Sequence, residues 1–272
     1  MDEFKKFKAL SLKRADAASD IKLINQYSIK ELKPEDVYCF SVILCDNDVD
    51  RDLERFTDKT LEQLAVLFAG KTGISDHRWS SDRQIARLYR AEVETTTEKN
   101  ALGAPLKRLI GSAYMLKTES NQPFIDAIEG GIVKEVSIGC SVSKQSCSIC
   151  GESFSMDWRD WTYKCKNNHA KGETYDGKRC VCNLDDPTDA YEFSFVAVPA
   201  QRNAGVTKSA KDLDAAFATL MAADLSKHGE QIKALLPRIQ TALEDAKDRE
   251  ARAKILAENE KYLKKKERMY QI

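Results

Sequence analysis

The sequence predicts an α+β fold, a small β-barrel wrapped by helices, with a cysteine-rich insert and a helical C-terminal tail. Three observations carry this. The middle of the chain holds strand-length apolar runs separated by short helical segments. Five of the eight cysteines and one of the three histidines crowd into residues 146–183. From Ser209 the apolar residues recur at helical spacing in a charged, glycine-poor background.

Taken in order, residues 1–30 mix basic and apolar side chains without a clean period and suit a helix or a docked arm. A domain over 31–208 follows. Val37 to Leu44 is a continuous β-branched and aromatic run, the pattern of a buried strand, and it ends in the acidic turn Asp46–Asp50. Thr57 can cap a helix whose Leu61, Leu64, Ala65 and Phe68 share one face up to Gly70. That helix leads to a loop, Gly73–Trp79, containing His77. Further strands are expected at Ile85–Glu94, Arg108–Leu116 and Val133–Lys144, with a short helix from Pro123 to Glu129 stopped by Gly130 and Gly131. A last strand, 190–198, is closed by Pro199. Many short strands with helical crossovers point to a barrel or a strongly curved sheet. The tail, 209–272, has helical apolar spacing broken at Gly229 and Pro237, as in an oligomerisation or docking segment.

The charge balance, 43 basic against 43 acidic residues, gives no long-range attraction to nucleic acid or an anionic membrane and disfavours a dedicated DNA binder. No apolar run reaches the length of a signal core or a bilayer span, so the expectation is a soluble intracellular protein. In a reducing compartment the cysteines are then ligands or small core residues rather than disulfides. Cys39, Cys45 and Cys140 stand in apolar strand contexts and read as core.

The insert has a different logic. Cys147 and Cys150 have the two-residue gap that lets both thiolates of a tight turn reach one tetrahedral zinc, and Gly151 follows as such a turn favours. Cys165 and His169 supply a second pair, completing a Cys3His set, while Cys180 and Cys182 lie close enough to displace Cys165 or His169. A thiolate-rich, closed set is a structural site: a segment with few aliphatics uses the metal in place of a core. The same insert carries Trp158, Trp161, Tyr163 and several lysines, so a non-enzymatic zinc ribbon that binds nucleic acid or a protein partner is the alternative, although Asp157, Asp160, Asp185 and Asp186 dilute its positive charge.

Ser137 occupies the polar phase of a strand whose other phase is Val136, Ile138, Cys140 and Val142. Gly139 beside it would let a substrate backbone approach. A serine needs a base to become nucleophilic, and His77 is the histidine of the β-rich region, His169 being committed to the cysteines and His228 to the tail.

The order of three segments within residues 37–208 carries a resemblance: His77 in an Asp-His loop, the Gly-Gly-Ile-Val-Lys-Glu-Val-Ser137-Ile-Gly strand, and Glu192-Phe-Ser-Phe-Val-Ala-Val-Pro199-Ala-Gln. Together they resemble the tailed-bacteriophage prohead (capsid maturation) serine proteases, which are similar in fold to herpesvirus assemblin. The resemblance implies an assemblin-like barrel with Ser137 as nucleophile and His77 as general base. It also implies action inside the immature phage capsid in the host cytoplasm, on the scaffolding protein, the major capsid protein and the protease itself. Assemblin-type sites use a second histidine as third member, and no free one stands in a suitable segment here. Glu192 is taken for that role, with Asp76 and Asp189 as alternatives; oxyanion donors are sought near Gly139 or the loop of Arg202.

Overall fold

A computed structural model describes residues 15–157 and 161–207. The tail and residues 1–14 of the N-terminal arm therefore lie outside the described residues, as do Trp158, Asp160 and His228. All the described residues belong to one compact unit.

The fold is mixed α and β and mostly sheet. Among the described residues there are three α-helices: α1 (Ala17–Ile24), α2 (Asp58–Phe68) and α3 (Gln122–Glu129). The main sheet contains β1 (Val37–Asp46), β2 (Glu54–Phe56), β3 (Thr72–Ser75), β4 (Ala86–Lys99), β5 (Pro105–Leu116), β6 (Val136–Cys147), β11 (Cys182–Phe195) and β12 (Gly205–Thr207). Two small hairpins fill the insert, β7 (Phe154–Asp157) with β8 (Thr162–Cys165) and β9 (Thr174–Tyr175) with β10 (Lys178–Arg179).

Neighbouring strands run β12-β1-β5-β4-β3-β11-β2, and β6 lies along the other edge of β11. The expected closed barrel is corrected here. β12 has three residues, all engaged with β1, so β6 meets it only through an isolated Glu135–Gly205 bridge and the flanking bonds from Val206 N to Lys134 O (2.7 Å) and Val136 N to Ala204 O (3.4 Å).

Local chemistry explains the elements. In β1, Phe40, Val42 and Leu44 alternate onto the core face. Thr57 caps α2 by accepting from Thr60 N, and Leu61, Leu64 and Phe68 are fully buried against the sheet. Helix α3 ends as its glycines direct: Gly131 takes φ 72°, and the N–H of Ile132 returns to the carbonyl of Ala127 at 2.9 Å. The core joins α2 and α3 to β1, β4, β5, β6 and β11 through Leu88, Leu109, Met115, Ile125, Val136 and Phe193.

Residues 15–30 of the arm are docked. Ile24 packs with Leu32, Val37, Tyr89 and Tyr114, and the buried Asp20 accepts from Tyr89 Oη (2.8 Å) and pairs with Arg90 (3.3 Å). Of the three cysteines assigned to the core, Cys45 is buried while Cys39 and Cys140 are half-buried.

Two boundaries differ from expectation. The chain reaches His77 from β3 rather than directly from α2, because Gly73 lets the four-residue strand lie against Phe193: a Cβ there would come within 2.4 Å of its ring. β11 begins at Cys182, eight residues before the predicted start. Pairing with β6 holds the Asp-rich stretch Asp185–Asp189 extended, with register shifts at Pro187/Asp189 and Ala190/Glu192.

The turn after β1 makes a prediction. Asp50 is buried, and desolvation pushes its carboxyl up to about 6 even though Oδ1 accepts from Asp52 N (2.9 Å) and Glu54 N (2.8 Å). A raised native pKa stabilises the fold fully below the unfolded value of 3.8, and that contribution is lost as pH rises through about 6. Asp50→Asn keeps both acceptors without the charge. Urea unfolding is expected to show it more stable than wild type by about 1–3 kcal/mol at pH 7.5, with the difference vanishing toward pH 4.

Candidate functional site

β3 runs parallel to the end of β11, from Thr72 beside Glu192 to Ser75 beside Phe195. The chain then reverses through Asp76 (φ 54°) and His77 (φ 52°), two consecutive non-glycine residues in the left-handed region. Each costs on the order of 1–3 kcal/mol and persists only where the surroundings over-determine it. Here Asp76 N donates to Phe195 O (3.0 Å), Arg78 N to Ser75 O (3.1 Å) and His77 N to Ser194 Oγ (3.0 Å).

The reversal lays the imidazole over the outer face of the sheet, where His77 Nδ1 lies 2.7 Å from Glu192 Oε1. Glu192 is buried, and its second oxygen accepts from Ser194 Oγ at 2.8 Å. Ser194 thus donates to the carboxylate and accepts from the His77 backbone, holding both ends of the contact. An ionised carboxylate only accepts, so Nδ1 carries a proton in this contact, and it is the neutral imidazole that offers Nε2 as a proton acceptor, on a side chain 42% exposed.

Gly139 faces Glu192 across the β6–β11 ladder, and a Cβ there would stand 2.6 Å from Oε1. The space foreseen for a substrate backbone is therefore filled by the Glu192 carboxylate. Ser137 pairs with Ser194, so its half-buried side chain projects on the same face as Gly139, Glu192 and Ser194. Its hydroxyl makes no hydrogen bond among the described residues. Neither Asp76 nor Asp189 is hydrogen-bonded to the imidazole; Asp189 pairs with Lys71 at 3.1 Å and with its neighbour's N–H, Ala190 N, at 2.8 Å. Arg202 lies in an exposed turn.

Sequence reasoning missed Ser194. The available signal was two polar residues, Glu192 and Ser194, on one phase of a strand whose other phase, Phe193 and Phe195, is wholly core.

At the far end of the same ladder, Cys147 closes β6 opposite Cys182. Cys150 sits in the following turn, Cys165 ends β8, and His169 follows a left-handed Asn168 (φ 62°). One donor atom from each of Cys147, Cys150, Cys165 and His169 lies within 4.8 Å of all the others, so the four could hold a metal ion. Backbone N–H groups already point at the sulfurs: Ile149 N at Cys147 Sγ (3.4 Å) and His169 N at Cys165 Sγ (3.3 Å). Such donors stabilise thiolates. A backbone bond at Glu152 is the main reason the Cys150 thiol falls to about 7. Cys180 touches one member of the set, Cys147, at 3.6 Å, whereas Cys182 turns its thiol toward Asn183 O. The insert is docked by Lys171, which bonds Glu54 of β2 (3.0 Å) and lies over the Tyr163 ring (5.0 Å).

No protein-family model, no curated protein and no solved structure matches the chain. Among the described residues no helix is long and apolar enough to cross a membrane.

Two measurements test the geometry. Gly139→Ala is expected to push the carboxylate off His77, removing the downfield Nδ1–H proton resonance of the pair and costing about 1–3 kcal/mol in urea unfolding. Protein purified in reducing, chelator-free buffer should carry about one metal ion per chain, with Cys165→Ser and His169→Ala losing it and unfolding at lower temperature.

Proposed function

We propose that the chain is a serine endopeptidase of the prohead-maturation type, on an assemblin-like, nearly closed sheet, with Ser137 as nucleophile, His77 as general base and Glu192 orienting it. The observation that carries this reading is the 2.7 Å contact between His77 Nδ1 and the buried Glu192, set on the strand pair that also bears Ser137. His77 Nε2 takes the proton as Ser137 Oγ attacks the scissile carbonyl carbon. The protonated imidazole, stabilised by Glu192, returns that proton to the amine as the C–N bond breaks. Water, deprotonated by the same nitrogen, then cleaves the acyl-serine ester. The substrates in this reading are the scaffolding and major capsid proteins within an immature capsid, and the chain's own tail, which would also serve self-association.

The metal of the insert is zinc in this reading, with a structural role. Thiolates about 2.3 Å and an imidazole nitrogen about 2.0–2.1 Å from a tetrahedral zinc stand about 3.8 Å (S···S) and about 3.5 Å (S···N) apart. The corresponding separations are 3.6 Å for Cys150–Cys165, and 3.5 and 3.7 Å from His169 Nδ1 to Cys165 and Cys147. Four protein donors fill the coordination sphere, which suits a brace. The exposed Trp161 of the insert favours the second reading, a zinc ribbon that binds nucleic acid or an assembly partner.

Co-expression with the scaffolding and capsid subunits tests the first reading. Cleavage of both is expected, with intact mass revealing removal of the tail. Ser137→Ala and His77→Ala should abolish processing, and Glu192→Gln should slow it on the order of 10³–10⁴-fold by presenting the wrong partner to Nδ1. Unchanged processing in the Ser137 and His77 variants would overturn the assignment.

A further inference from the structure

A cavity of about 410 Å³ opens beside the His77–Glu192 contact, with Glu192 as part of its lining. The buried Ile74 and Ala190 give its lining an apolar patch, beside the polar Thr72, Ser80, Ser81 and Gln84. Its upper wall is an aromatic pair, Trp79 and Tyr191, with ring centroids 5.4 Å apart and planes inclined at 53°. Trp79 follows His77 by two residues and is 72% exposed, while Tyr191 precedes Glu192 and is 39% exposed. Large rings left in water beside a preformed concave site are the usual anchors of recognition.

The two charged residues that line this cavity are already paired. Lys71 Nζ lies 3.1 Å from Asp189, and both oxygens of Glu192 are taken, one by His77 and one by Ser194. A charged side chain entering would lose water without gaining an unpaired partner, an expensive exchange. A large apolar side chain would cover ring surface and displace water at no such cost.

From this we infer that the cavity is the subsite for a bulky apolar side chain, aromatic or long aliphatic, of an extended polypeptide substrate next to the scissile bond. The inference rests on the endopeptidase reading above. Trp79 and Tyr191 are then specificity-determining residues, and the dyad's neighbours in sequence select the substrate that its chemistry acts on.

The test has two arms on the full chain. Diisopropyl fluorophosphate, too small to need the cavity, reports whether Ser137 is an activated nucleophile. A synthetic peptide mixture varied around a cleavable bond, read by mass spectrometry, reports preference. Wild type is expected to label at Ser137 and to favour Phe, Tyr, Leu or Met over Ala at one fixed position. In Trp79→Ala and Tyr191→Ala that preference should fall on the order of tenfold to a hundredfold in kcat/KM, with labelling within about twofold of wild type, as expected of a group that binds without touching the reacting atoms. Labelling without any apolar preference, or with the same preference in both variants, overturns the subsite alone. Absence of labelling at Ser137 in wild type overturns the endopeptidase reading, and the subsite with it.

Discussion

β6 and β11 share one antiparallel ladder from Cys147–Cys182 at one end to Val136–Phe195 at the other, and both candidate sites are built on it. β11 gives one edge to β6 over its whole length and divides the other between β2 at Cys182–Leu184 and β3 at Glu192–Phe195. Because the side-chain period of a strand is two, a one-residue slip would turn Glu192 and Ser194 into the core and expel Phe193 and Phe195. Aromatic packing resists that slip. Phe40 meets both rings at 6.4 and 6.0 Å, and Phe124 of α3 meets Phe195 edge-on at 5.1 Å. The hydrophobic face of β11 thus fixes the position of the polar groups on its other face.

Those polar groups sit under unusual conditions for the outer side of a sheet. A carboxylate taken out of water is costly unless it is paired and hydrogen-bonded. Glu192 meets both requirements, but only because Asp76 and His77 accept left-handed backbone and because Gly139 has no Cβ. Two local rules are broken at one point and compensated by long-range contacts, a pattern that collects at functional sites more than in ordinary cores. Ser194 explains how the strained turn is held: one hydroxyl links the backbone of His77 to the carboxylate that its ring must meet.

Much of this was legible where local chemistry dominates. The cap at Thr57, the apolar face of α2, the glycine stop of α3 and the spacing of Cys147, Cys150, Cys165 and His169 are short-range signals, and each element stands where its signal placed it. Features fixed by distant partners were not legible. Thr72–Ser75 is too short to show a period and becomes a strand because β11 and β4 lie on either side of it. The arm shows no clean period because its docking depends on distant residues: Asp20 is buried by Tyr89 and Arg90, which are far from it in sequence. Sheet closure also depends on how much edge a three-residue β12 leaves for β6, which no local pattern records.

The cysteine cluster and the His77–Glu192 contact are linked by strand geometry rather than by charge. Ten residues of β11 separate Cys182 from Glu192, about 30 Å of strand at about 3.3 Å per residue. That is several times the screening length of about 8 Å at physiological ionic strength, so a cation in the cysteine cluster contributes little to the field at His77. What it can set is the pairing of Cys147 with Cys182, the point from which the ladder's register is counted. Two register shifts lie between that point and Glu192, and a bulge re-aims the residues beyond it. The ladder thus carries its alignment from one end to the other: the bulges set the local twist, and the residues beyond them bring Ser137, Glu192 and Ser194 onto one face.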